Sequence, residues 1–309
     1  MKSDLVFKIG DADSYREVSA LFDQYTQRFS SAIAQYMYKI AGRPDKLSVL
    51  DVGTGSGVVA LEIAQNSGPA SSVIGIDLSA EMLNQAGQRA LASESPGTID
   101  FVAMDAENLA FPDNCFDAVF SLYALRHFPN PGRALAEMHR VLKPGGRLVV
   151  GIGSPPSLMS FSGINAAFRR LFSLARRAAG RELNACEFID DLVGQYLPDS
   201  QELEIAQWTE GHHNFSGSLQ AMVSTAGFSD IKNDWVGQYS IIESIEDFFL
   251  LQVTFSSLAR KRLARADDAS IEALRTEFNR RCTAVQKKGG RLVYQSGAAL
   301  VSAIKRDPG

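Results

Sequence analysis

Three cysteines in 309 residues, at positions 115, 186 and 282, are too few and too widely spaced for a disulfide framework or a cysteine zinc site. Their odd number favours a reducing compartment. No run of residues is apolar and long enough to suggest a membrane span, and Met1 to Asp13 mixes charges with apolar residues where a targeting signal would be continuous. These two absences predict a cytoplasmic protein. A basic surplus is also lacking, since 31 Lys and Arg against 35 Asp and Glu leave a net charge of −4. Nothing in that balance attracts a phosphate backbone, which argues against nucleic acid as a partner. Histidine is scarce, at four residues, and no carboxylate stands at an obvious ligand spacing, so no metal site is predicted. What is present is ordinary for a soluble enzyme: 45% apolar and 21% charged residues, in a chain long enough to bury a core.

The informative stretch is Val49-Leu50-Asp51-Val52-Gly53-Thr54-Gly55-Ser56-Gly57, a short apolar strand running into three alternate glycines. Without a Cβ the backbone turns tightly and comes close to a ligand. The following helical pattern, Val58 to Ala64, aims its unpaired N–H groups and positive dipole end at that ligand. Ribose recognition asks for an acid after a second strand, about 20 residues on. Ser72-Val73-Ile74-Gly75-Ile76-Asp77 provides it, with Ser79 placed to cap the next helix. The competing reading makes Asp77 only a cap or turn former. The glycines follow G-x-G-x-G, which points away from nicotinamide dehydrogenases and their G-x-G-x-x-G.

Four segments in order carry a resemblance: Leu50 to Gly57, Ile76-Asp77-Leu78-Ser79, Met104-Asp105-Ala106, and Arg140-Val141-Leu142-Lys143-Pro144-Gly145-Gly146-Arg147-Leu148. Together they resemble the class I S-adenosylmethionine-dependent methyltransferases, in particular the broad group that looks like the ubiquinone and menaquinone C-methylases, across roughly residues 47 to 152. The resemblance implies S-adenosylmethionine as cofactor, with S-adenosylhomocysteine as product. It places Gly53 and Gly55 against the methionine portion and Asp51 as the acid that orders the loop and attracts the ammonium. It gives Asp77 the ribose, Asp105 the adenine amino group and Ala106 an N–H for the ring, with Thr54 and Leu78 completing the cofactor set. A turn-forming role for Asp51 and a capping role for Asp105 remain the simpler alternatives. Relatives use an N-terminal segment as a lid with an aromatic hydroxyl near the methionine carboxylate. Tyr25, in the stripe Phe22, Tyr25, Phe29, is the candidate, while ordinary core packing accounts equally well for its neighbours.

The alternating pattern predicts an α/β fold with five β/α units, and the resemblance implies the rest: a Rossmann-like, doubly wound, seven-stranded sheet, mostly parallel with an antiparallel last strand, plus helical lid insertions. Ligands in such sheets sit outside the carboxyl ends of the strands, so Ser121, ending the strand Cys115 to Ser121, borders the pocket. The expected organisation is a helical lid at 1–45, the cofactor-binding core at 46–153, a helical substrate-binding insertion at 154–217, and the last strands at 218–309. That last part carries a two-helix insertion at about 243–290.

For the acceptor, the resemblance implies a small, partly hydrophobic molecule of secondary or quinone-like metabolism, methylated on O, N or C. Alignment of an activated methyl can suffice for transfer, so a base is optional. His127 and the pair His212 and His213 are the pocket-edge candidates for a base or a substrate-orienting group, against a plain hydrogen-bonding or packing role; His139 lies in a predicted helix and reads as structural. Rivals on the same fold are a non-transfer reaction such as cyclisation and a non-catalytic cofactor-binding regulator. Finally, Ala167 to Arg177 is a basic amphipathic helix with Phe168, Leu171, Phe172 and Ala175 on one face. Packing on the domain with solvated arginines is the simpler expectation; a membrane-surface or anionic-substrate contact is the alternative.

Overall fold

The protein is described by a computed structural model, in which residues 2–16, 18–42, 47–154, 161–197 and 218–306 are placed. They divide into two compact units, one within Met1–Pro155, His212–Val236 and Ala298–Gly309, the other within Pro156–Gly211 and Gly237–Gly297.

The first unit holds β1 (Ser48–Val52), β2 (Ser72–Asp77), β3 (Thr98–Ala103), β4 (Phe116–Leu122) and β5 (Leu142–Gly153), all parallel, in the order β3-β2-β1-β4-β5. The final strand, β8 (Arg291–Lys305), runs antiparallel to β5 from Arg147↔Ile304 to Gly153↔Ala298, and β7 (Phe228–Ile242) pairs with β8. This is the expected mixed sheet. Strand order reverses between β1 and β4, and that switch point opens a crevice at the carboxyl ends of the strands.

Helices cover both faces, which explains the unbroken apolar character of the central strands. On one face Val49, Val73, Phe120 and Val149 pack against α2 (Ser19–Ile40) and α3 (Val58–Asn66). On the other, Leu50, Val52, Val119 and Leu148 pack against α5 (Pro131–Val141) and α8 (Leu219–Thr225). The side chain of Asn130 accepts from Arg133 N, and Pro131 takes the first helical turn of α5, where a missing N–H costs nothing. Ser79 caps α4 (Ala80–Ala92) as its position suggested. Ahead of the sheet comes α1 (Lys2–Asp13).

The second unit contains α6 (Phe161–Ala178), α7 (Ala185–Tyr196), α9 (Ile245–Phe255), α10 (Ser257–Leu263) and α11 (Asp268–Lys287), around a cluster of Phe188, Phe248, Phe249 and Phe278. Three helices occupy the stretch read as two, because Ser256 adopts an extended conformation and caps a new helix through Ala259 N. The insertion read as helical also holds a short strand, β6 (Glu182–Asn184), parallel to the start of β8.

The expectation that α6 packs its apolar face inward is corrected. Phe168, Leu171, Phe172 and Ala175 are all exposed, and it is Ser173, on the opposite side, that is buried.

Candidate functional site

The glycine turn is built as a cradle around one buried acid. Asp51, almost fully buried at the end of β1, accepts with Oδ2 from the Thr54 hydroxyl at 2.7 Å and from the Ala60 amide in the first turn of α3 at 3.2 Å. Strand, turn and helix are thereby tied to a single oxygen. Burial pushes the Asp51 carboxyl up to about 7, with the negative charge of Asp77 adding to the rise against those two hydrogen bonds. Gly53, at φ +68°, lies so close to the next loop that a Cβ would stand 2.2 Å from that of Ala124. Gly55, at φ +53°, faces open space, with nothing within 4 Å of where its Cβ would point. One glycine thus permits a close approach inside the protein, and the other leaves room beside the turn.

Asp77 closes the cradle from β2. Its Oδ2 accepts from Gly55 N at 2.9 Å and its Oδ1 from Ser79 N at 3.0 Å. Burial raises its carboxyl above the usual range, opposed by these amides and by the field of His127. The reading of Asp77 as a cap or turn former is therefore visible in these contacts, and each oxygen keeps a further acceptor direction. Leu78 beside it is exposed, Thr54 is buried with its amide on the Ile76 carbonyl, and Ala106 is buried.

Asp105, after β3, meets a residue that sequence reasoning missed. Lys8 of α1 donates to both its oxygens, at 3.1 and 2.8 Å, and reaches Glu107 at 3.2 Å. Glu107, itself buried, accepts the Asn130 amide at 2.8 Å. A second residue of α1, Asp11, places Oδ2 at 2.9 Å from His127 Nδ1. A carboxylate only accepts, so Nδ1 carries the proton and Nε2 of a neutral ring carries the lone pair. Neither contact had a signal in the sequence, because α1 shows no strong periodicity and its partners lie about a hundred residues away.

Other predicted residues take quieter positions. Ser121 is fully buried and gives its hydroxyl to the Val52 carbonyl at 2.8 Å, fixing the entry to the glycine turn. Tyr25 is buried and stacked on Phe29. Its helix is nevertheless tied to the turn: Arg89 of α4 donates to Asp23 at 3.1 Å and to the Ser56 carbonyl at 2.8 Å. His139 lies in α5 with its ring edge-on to Phe228, a structural place as expected. His212 and His213 lie outside the described residues. Tyr123, unmarked in the sequence, holds φ +63° directly after β4, a strained conformation for an aromatic residue at the edge of a site. Among the described residues no three His, Cys, Asp or Glu side chains group to hold a metal.

The turn suits a ligand with a cationic amino acid end and a ribose: an acid under the loop, open space at Gly55, a carboxylate at the end of β2, and a helix N-terminus behind. Comparison with known proteins agrees. Residues 50–150 match the family described as a methyltransferase domain. The chain is 28% identical over 221 residues to the ubiquinone/menaquinone biosynthesis C-methyltransferase UbiE of Pseudomonas paraeruginosa, covering 68% of this chain and 86% of that one. It is 37% identical over 146 residues to the UbiE of Geotalea daltonii, covering 47% and 59%. The solved structure of the YcgJ protein of Bacillus subtilis shares the fold, with a TM-score of 0.51 at 21% identity over 89% of this chain and 98% of that one. Motif, sheet order and relatives converge: residues 50–150 match a methyltransferase domain and carry the sheet order of the class I S-adenosylmethionine-dependent fold.

Proposed function

We propose that the protein methylates a small, partly hydrophobic acceptor of quinone-like or secondary metabolism, with His127 taking the acceptor proton and Asp11 holding the imidazole for that task. The observation that carries the proton-transfer part is the 2.9 Å contact from His127 Nδ1 to Asp11, beside the carboxyl ends of β1 and β4. The names of the relatives support the acceptor class.

S-adenosylmethionine supplies an electrophilic methyl group on a sulfonium. Asp51 attracts the ammonium and keeps the turn closed through Thr54 and Ala60. Asp77 receives the ribose hydroxyls; Asp105 and the Ala106 amide face the adenine, and Tyr25 belongs to the lid. Asp11 fixes the Nδ1–H tautomer of His127, so that Nε2 accepts a proton from a phenol, enol or acidic carbon as it becomes the nucleophile. The carboxylate also stabilises the imidazolium that forms.

The test is incubation with S-adenosylmethionine carrying a labelled methyl group and, as acceptors, reduced prenylated benzoquinone and naphthoquinone and simple phenols, with mass spectrometry of products. Labelled acceptor together with S-adenosylhomocysteine is expected. Cofactor binding without S-adenosylhomocysteine from any acceptor, including an extract of the source cells, defeats the transfer reading in favour of non-transfer chemistry. For the base, His127→Gln lowers kcat by about a hundredfold or more and Asp11→Asn by a smaller factor, both removing the acidic limb of the pH–rate profile. Full activity in His127→Gln removes the base and leaves transfer intact.

A further inference from the structure

Helix α6 is attached to its unit by the wrong side for an ordinary amphipathic helix. Among its described side chains the buried contact is polar: Ser173, only 5% exposed, donates to Glu182 of β6, and Arg176 Nε stands 3.7 Å from the same carboxylate. Its apolar face looks outward, with Phe168 62%, Leu171 63% and Phe172 71% exposed and Ala175 continuing the row. Leu174, 49% exposed, extends this surface. Soluble proteins seldom leave several large side chains together in water, and such a surface marks a contact to be made.

The charge of the helix selects the partner. Phe161–Ala178 contains Arg169, Arg170, Arg176 and Arg177 and no acidic residue, in a chain whose net charge is −4. A cationic helix with an aromatic and leucine face fits the boundary of an anionic lipid surface, where apolar side chains enter the acyl region and the surface charge attracts a basic segment. No described helix is long and apolar enough to cross a membrane, so the contact is one of lying on the surface. We infer that α6 is a membrane-surface docking helix that binds the protein reversibly to bilayers rich in anionic lipid. The inference rests on the exposed face and its charge, whatever the acceptor.

The experiment is co-sedimentation of the full-length protein with vesicles of phosphatidylcholine alone and of phosphatidylcholine with about one third phosphatidylglycerol. Binding to the anionic vesicles is expected at least about tenfold tighter than to neutral ones, and weakened by salt. The double variant Phe168→Ser/Phe172→Ser should lose at least about a hundredfold in partitioning, since each removes a large membrane-buried side chain. Its melting temperature should stay unchanged, because both side chains already stand in water. Arg169→Gln/Arg170→Gln should weaken binding to anionic vesicles and leave neutral ones alone. Absence of vesicle binding overturns the inference, as does binding that survives the double serine variant. So does a concentration-dependent dimer, seen by light scattering and abolished by the same substitutions, which would assign the face to a second copy of the chain. A double variant that melts markedly lower also overturns it, since the face would then pack within the chain.

Discussion

With the ammonium on Asp51 as proposed, the buried acid at the end of β1 should make cofactor binding a proton-linked event. Asp51 is held up to about 7 by burial, so at pH 6 about nine tenths of the carboxyl is protonated in the free protein. An ammonium brought against it favours the carboxylate. Binding of S-adenosylhomocysteine, which keeps the amino acid end, should therefore release about 0.9 proton at pH 6 and less at pH 7. The ligand's own α-amino group, with an ordinary value near ~7.8, stays charged at pH 6 and does not obscure the count. The association constant should rise nearly tenfold from pH 5 to 6, then level off above 7. Calorimetry in buffers of different ionisation enthalpy reads the proton directly. Asp51→Asn is a clean control, because both hydrogen bonds fall on Oδ2 and one amide oxygen can accept them. The variant should release clearly fewer protons than the wild type at pH 6, what is left coming from Asp77. A wild-type release near zero, proton uptake, or the same release in Asp51→Asn would refute the placement of the ammonium. The sign also holds without ligand. A folded-state carboxyl raised above its unfolded value binds its proton more tightly when folded, so its contribution to stability is lost as pH climbs from about 4 to about 7.

Three other expectations follow from the same geometry. Asp77→Ala should weaken S-adenosylhomocysteine binding by about ten- to a hundredfold, through hydrogen bonds worth about 1.5 to 3 kcal/mol, and should lower the melting temperature because the Gly55 and Ser79 amides lose their acceptor; unchanged calorimetric affinity would sink the ribose assignment. Gly53→Ala should cost about 2 to 4 kcal/mol in urea unfolding, from the clash with Ala124 and the left-handed backbone, against about 1 to 2 kcal/mol for Gly55→Ala, which meets strain alone; equal losses would contradict the close approach. Lys8→Met, leaving Asp105 and the buried Glu107 without their cation, should cost about 1 to 3 kcal/mol and make α1 an early site of proteolysis. An unaltered cleavage pattern and midpoint would show that the pair does not hold the helix.

Much of this enzyme was legible from the chain alone, for local reasons. The strand, the glycines and the helix of the cofactor turn are consecutive in sequence, and the requirements of a tight turn and a helix cap act over a few residues. Asp51, Asp77 and Asp105 could be placed together because each lies at or just past the carboxyl end of a strand, and the carboxyl ends of parallel strands share one edge. The alternation of apolar segments with capped helices was enough for the five parallel strands, while the antiparallel last strand came from the family resemblance. What stayed hidden depended on contacts between distant residues or on which side of a helix meets its own protein. Lys8 reaches Asp105 across 97 positions and Asp11 reaches His127 across 116, so no periodicity could announce them. The α6 pattern revealed an apolar face but not its direction, since periodicity records that a face exists and only packing decides whether core or solvent receives it. The sequence by itself therefore determined the glycine turn, the acids at the strand ends and the parallel part of the sheet, which are set by local stereochemistry. Tertiary structure alone decided the tautomer of His127, the anchoring of α1 and the outward face of α6, because these arise where remote segments meet.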